Sequence, residues 1–402
     1  MNSRSNRNLS NIRERISYEC HPTLNERLRT FEAKVENLGD TILNLTFGYP
    51  EDLQADWMRD IEVNLDFKTL DALQKKPLKK SIQQYFSKLF HKEDIHLTTS
   101  ASEALMIAIH SCILNRDDEI ILFDYGFYTY PALIKTGKGK PVFAERMNNG
   151  EPNFQSIKDC ITNKTRAILI TQPENPLGRI YSREELENLC MICNKNNLTL
   201  IVDHSFIESS PFGNEISMLT ELAENPFLEN LAWIVIGDTG KILCLHGVKY
   251  ACILSSEDHK EAIDNWLHLI LFQFDLARMH ILSAILNDSR LEEYKLVLNK
   301  AVADNFHLLE NKIDPRVKVF RPQATPMVLV DVGYFGLDDI SFVEKILLEE
   351  KVAIMPGSYF VQAKEDNACY SKNHVRIAIS RPKEKIEEAI LRINRFLSKL
   401  SV

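Results

Sequence analysis

The stretch Leu231-Ala232-Trp233-Ile234-Val235-Ile236-Gly237-Asp238-Thr239-Gly240-Lys241 decides the fold. Its unbroken apolar run reads as a strand buried on both faces, and the abrupt change to small and polar residues marks the strand's carboxyl end. Open α/β sheets collect their chemistry at that end. The lysine there is followed by apolar Ile242-Leu243. It is a candidate nucleophile, because a partly desolvated amine that loses its proton can hold a carbonyl as a Schiff base. Read alone, it also fits an ordinary loop lysine.

Moving outward, Glu119-Ile120-Ile121-Leu122-Phe123, Arg166-Ala167-Ile168-Leu169-Ile170 and Leu198-Thr199-Leu200-Ile201-Val202 are further strands, with helical stretches at Arg183 to Lys195 and Glu215 to Glu224. Apolar strands separated by helices imply an α/β fold with a mostly parallel sheet. The polar strand ends are Asp124 to Tyr130, Gln172 to Gly178, Asp203 to Phe206 and Asp238 to Lys241. A helix is expected at Leu78 to Phe90, and a long helical region from Ser256 through Leu309. From Val317 the pattern alternates as a smaller α+β lobe. The first ~30 residues are charged and weakly periodic, with a short helix at Glu26 to Leu38. The expected division is an arm or lid over 1–45, a large domain over 46–275 and a small domain over 276–402.

The 402 residues are 45% apolar and 26% charged, with a formal net charge of −8, as in a globular chain large enough for two lobes. No basic block marks a nucleic-acid footprint, and no apolar run reaches membrane-spanning length. The basic N-terminus lacks an apolar signal core, which points to the cytoplasm. The eight cysteines are irregularly spaced, and Cys190 with Cys193 forms a lone CxxC, so no metal site is expected. Thr99-Ser100-Ala101-Ser102-Glu103 opens an apolar helix that ends near Asn115. Such a start is an N-cap, and its backbone N–H groups also suit an anion.

Thr99-Ser100-Ala101-Ser102-Glu103-Ala104-Leu105, Asp124-Tyr125-Gly126-Phe127-Tyr128-Thr129-Tyr130, Pro173-Glu174-Asn175-Pro176-Leu177-Gly178-Arg179, Asp203, Lys241, Pro356-Gly357-Ser358-Tyr359-Phe360 and Val375-Arg376-Ile377-Ala378-Ile379 occur in that order across about residues 40–395. The set resembles the class I/II aminotransferases of fold-type I pyridoxal 5′-phosphate (PLP) enzymes. The resemblance implies a PLP-binding large domain, a Schiff-base lysine at Lys241, and Asp203 paired with the pyridine nitrogen. It further implies Asn175 on the cofactor's phenolic oxygen, Phe127 stacked on the ring, Ser100, Ala101 and Ser102 around the phosphate, and Arg376 on the substrate α-carboxylate. A homodimer is implied too, because family active sites lie at the subunit interface.

Three positions depart from that pattern. Asp238 stands where a hydroxyl donor to the phosphate is usual, Lys249 where an arginine is, and Phe206 where a tyrosine is, with Ser205 beside it as a substitute hydroxyl. An anion at position 238 would repel phosphate, so it points elsewhere, carries a proton or has a cation to neutralise, such as a cationic substrate side chain. With Asp203-His204-Ser205-Phe206, these features resemble the PLP-dependent arginine oxidases/hydroxylases and the capreomycidine- and enduracididine-forming cyclases. Members of that branch hold a guanidinium with acidic residues, one of them from the N-terminal arm. Asp238 and Glu32 are the candidates here. Tyr49 stands where the oxidases carry a histidine, which favours cyclisation over oxidation. The expected function is PLP chemistry on a basic, guanidino-type α-amino acid through an external aldimine, Cα deprotonation by Lys241 and elimination with ring closure. Ordinary transamination and arginine oxidation are the alternatives.

Overall fold

The computed structural model describes residues 31–37, 39, 42–62, 72–147, 149–225, 228–243, 247–271, 274–361 and 373–400. The strands are β1 (Leu43–Asn44), β2 (His96–Thr98), β3 (Glu119–Phe123), β4 (Lys140–Ala144), β5 (Thr165–Thr171), β6 (Thr199–Asp203), β7 (Trp233–Asp238), β8 (Ala251–Ser255), β9 (Lys318–Phe320), β10 (Met327–Asp331), β11 (Val352–Ala353), β12 (Met355–Pro356) and β13 (His374–Ala378). The principal helices are α1 (Ala72–Phe90), α2 (Ala101–Cys112), α3 (Arg183–Asn196), α4 (Glu257–Ile270), α5 (Leu276–Leu286), α6 (Leu291–Lys312), α7 (Asp339–Glu350) and α8 (Lys383–Lys399).

Seven strands form the large sheet in the order β2-β8-β7-β6-β5-β3-β4. All pairings are parallel except those of β8, which runs against both its neighbours. The four expected strands are present. β4 lies at the sheet edge, where its Pro141 removes no ladder hydrogen bond from the interior.

Alternate residues of each strand enter opposite apolar clusters. Ile121, Ile168, Ile170, Val202 and Val235 pack towards α1 and α3. Ile120, Leu122, Leu169, Ile201 and Ile234 pack towards α2. Burial on both faces explains the unbroken apolar runs. The second sheet, β12-β13-β10-β9, is antiparallel and packs with α7 and α8.

Two local expectations change. Between 215 and 224 only Leu219–Leu222 is helical. Gln172 Nε2 donates to Ser217 O (3.3 Å), and Met218, which caps the short helix, is extended. Of the expected arm, 1–30 lies outside the described residues. Residues 31–37 are helical, and Phe31 and Leu45 pack into the small-lobe core. Met279, Leu282 and Ile285 of α5 and Leu298 of α6 join the large-sheet core, whereas Val302 and Phe306 join the other.

Candidate active site

The carboxyl ends of β5 and β6 are level, with Thr171 opposite Asp203, while β7 runs past the Asp203–Ile236 pairing to Asp238. Asp203 is buried, and its Oδ2 accepts from Tyr130 Oη (2.8 Å). Its Oδ1 accepts from Ser205 N (2.9 Å) and Ser205 Oγ. Burial pushes the carboxyl above its ordinary pKa and nearby Asp238 adds to the rise, while the Ser205 and Tyr130 hydrogen bonds oppose it. Such a carboxylate gains most from a cationic partner. Tyr130 also meets Thr171 Oγ1 (2.7 Å), and its ring lies 5.4 Å from that of Phe127.

Lys241 follows β7 in a turn pinned by Thr239, whose Oγ1 donates to Tyr250 O (2.9 Å). Gly240 is required there, since a Cβ would come within 2.6 Å of Lys249 Cδ. Burial lowers the Lys241 pKa to about 8; Asp238 and Asp203 oppose the fall, and Arg376 adds to it. A share of this amine is therefore unprotonated near neutrality, as a nucleophile or a proton carrier requires.

Arg376, buried on β13, reaches the large sheet. Its Nη1 donates to Asn175 Oδ1 (2.8 Å) and its Nη2 to Thr46 O. Its Nε is buried without a partner. Burial brings its pKa down to about 10, and the guanidinium lies 4.7 Å from the Phe360 ring. Gly178, at φ +63°, lets the Asn175 loop turn tightly against Pro322.

At the other end of the site, Ser100 caps α2 by accepting from Glu103 N (3.2 Å). The helix geometry leaves the N–H groups of Ala101 and Ser102 facing out of its first turn. Arg278 Nη2 donates to Thr99 O (3.2 Å) and to Lys249 O (2.5 Å), tying the α2 entrance to the Lys249 backbone. Asp238 Oδ1 accepts from Gly240 N (2.9 Å), while its buried Oδ2 has no partner.

The structure brings together Lys241, Asp203, Asn175, Arg376, Ser205 and Asp238. Ser205 bonds to Asp203, so its hydroxyl supports the carboxylate. Glu32 is half-buried on the 31–37 helix; burial raises the Tyr128 pKa, the Arg376 charge opposes the rise and the Glu32 charge adds to it. Sequence reasoning left Tyr130, Arg278 and Arg381 without a role, and read Tyr49 only as the replacement for a histidine. Arg381 donates to Asn44 O and Phe47 O (3.1 and 3.2 Å) and to Tyr49 O. The Tyr49 ring centroid is 3.7 Å from Lys241 Nζ.

A family model described as aminotransferase class I and II matches residues 41–393. The chain belongs to that family. This aminotransferase-family protein is 27% identical over 339 residues to an aspartate aminotransferase of Bacillus subtilis, covering 81% of this chain and 82% of that one. It is 24% identical over 416 residues to a glutamate-pyruvate aminotransferase of Haemophilus influenzae, covering 96% of each. Its fold is similar to that of the Thermotoga maritima aspartate aminotransferase, with TM-score 0.73, 22% identity and 93% and 96% of the two chains covered. It is also similar to that of the Pyrococcus horikoshii aromatic aminotransferase, with TM-score 0.74, 19% identity and 91% and 98% covered.

The family's cofactor is PLP. The site fits it. A partly buried amine and a buried carboxylate in need of a cation stand at adjacent strand ends, and outward-facing N–H groups stand at a helix N-terminus. Lys241 would hold the aldehyde carbon, Asp203 the pyridine nitrogen, and Ala101, Ser102 and Lys249 the phosphate. The anion at Asp238 is the one feature that works against a phosphate there.

Proposed function

We propose that this protein transfers the amino group of an α-amino acid to a keto-acid acceptor. The observation that supports the reading most is the Lys241 amine, with its pKa of about 8, set within electrostatic reach of Asp203 and Arg376. PLP supplies an electron sink for the pair left when Cα loses its proton. The residues divide the remaining work. Arg376, with an unused Nε, binds the α-carboxylate in its planar fork and so orients the Cα–H bond. Lys241 Nζ takes the Cα proton and returns it. Asp203, held by Tyr130 and Ser205, keeps the ring nitrogen charged. Phe127 and Asn175 hold the ring in place. Mixing PLP-loaded protein with single amino acids tests this. One equivalent of keto acid per site should form, with further turnover only when an acceptor is added; turnover without an acceptor overturns it.

A second reading rests on Asp238 and Glu32. The unpartnered Oδ2 of Asp238 and the charge of Glu32 near Tyr128 suit a cationic side chain, which supports a guanidino-type substrate such as arginine or hydroxyarginine, with elimination and cyclisation as the outcome. Acceptor-independent loss of water from γ-hydroxyarginine, read by mass spectrometry, would establish it. Arginine oxidation is the third reading, and Tyr49 in place of a histidine speaks against it. A homodimer in the cytoplasm completes the proposal. Among the described residues no helix is long and apolar enough to cross a membrane.

A further inference from the structure

Tyr49 lies in the segment that joins the expected arm to the large domain, and its position is built from several directions. Arg381 donates to the Tyr49, Phe47 and Asn44 carbonyls, and Arg376 donates to the Thr46 carbonyl. Leu45 N donates to Ala353 O (2.8 Å), and Ala378 N to Leu45 O (2.9 Å). The segment is thereby stitched to the small lobe, while its aromatic ring enters the site of the large one. The ring centroid is 3.7 Å from Lys241 Nζ and 5.4 Å from Lys249 Nζ. Phe206 offers a second ring at 5.3 Å from Lys241 Nζ. An ammonium at such a distance from an aromatic face is held by the ring's quadrupole, and the hold strengthens as water is excluded.

We propose that Tyr49 is a positioning residue for Lys241, holding the ammonium of the free lysine against its ring. Two consequences follow for the chemistry. A lysine that carries a proton between two atoms needs a resting place within reach of both, and the ring supplies one without a hydrogen bond that would have to break. The strand that bears Arg376 also contacts the Tyr49 segment, through Arg376 to Thr46 O and Ala378 N to Leu45 O, so the carboxylate site and the proton carrier share one support. The inference rests on the assignment of Lys241 as the reacting amine, and its test needs no turnover.

In cofactor-free protein, the pH at which Lys241 reaches half its maximal rate of reductive methylation by formaldehyde and cyanoborohydride, followed by peptide mass spectrometry, reports the amine directly. Removing a cation-stabilising ring makes deprotonation easier. Tyr49→Leu should move the half-point down by about one pH unit, and Tyr49→Phe, which keeps the ring, should leave it in place. Tyr49→Trp, the stronger cation partner, should move it up, and stands as the test if the leucine variant does not fold. A half-point that stays put in both the Leu and Trp variants overturns the proposal. So does a Phe variant that shifts as far as Leu, because the hydroxyl would then be responsible. Since methylation reads the amine and not catalysis, a protein that fails to transaminate while its Lys241 titrates as expected would retire the functional reading and leave this one standing.

Discussion

Arg376 Nη1 lies 2.8 Å from Asn175 Oδ1, a hydrogen bond that joins the antiparallel sheet of the small lobe to the loop after β5 of the large one. The same guanidinium holds Thr46 O. Lobe contact and, on the proposed function, substrate recognition and cofactor placement therefore converge on one side chain.

Arg376→Lys keeps a charge but loses the planar fork. We expect kcat/KM for α-amino acids to fall by about 10- to 100-fold, the worth of a charge-assisted bond. Steady-state kinetics checks this, and an unchanged KM would move the carboxylate elsewhere.

Tyr130→Phe removes a donor that lowers the Asp203 pKa. The carboxyl must then titrate at higher pH, so the acid limb of the kcat/KM profile moves to higher pH. Thermal unfolding should show a loss of about 1–2 kcal/mol. A profile that moves to lower pH would show that Tyr130 does not serve Asp203.

Lys241→Met tests the cost of burying the amine. With a folded pKa of about 8 against an ordinary 10.5, the unfolded chain binds more protons between those values. Wild-type stability therefore rises with pH across that window. At pH 7 the cofactor-free Met variant should be the more stable, by at most about 3 kcal/mol. Its advantage should vanish by about pH 10.5. Denaturant unfolding at several pH values measures it, and a constant difference would refute the account.

Arg146 and Glu174 form an ion pair with both side chains buried, with the Arg146 guanidinium 4.7 Å from the Phe123 ring. Glu174 precedes Asn175, so the pair anchors the loop that carries it. Glu174→Ala leaves a buried cation and should cost about 3–5 kcal/mol. The double variant Arg146→Met with Glu174→Met should cost less than that single change. Equal losses would show that the pair acts only through packing.

Much of this arrangement was legible along the chain. Apolar runs ending in polar residues located β3, β5, β6 and β7, because burial on both faces leaves no alternation to confuse the reading. β4 was not among them; it opens on Lys140-Pro141, which breaks its apolar run. The site's polar ends were legible for the same reason, since each begins on the last residue of a strand or on the residue after it. Its supports were not. Tyr130 meets Asp203 across 73 residues, and Arg278 meets Thr99 across 179. No local pattern distinguishes these side chains from any other buried tyrosine or surface arginine.

By itself, the sequence determined the parallel sheet, the place of Lys241 and Asp203 at its carboxyl edge, and the family, since hydrophobic periodicity and motif order are local properties of the chain. Tertiary structure alone decided that Tyr49 covers Lys241, that Arg376 crosses from one lobe to Asn175, and that Asp238 keeps one oxygen without a partner. These depend on where distant segments meet, and the energy of a charge in a protein is set by what surrounds it in space.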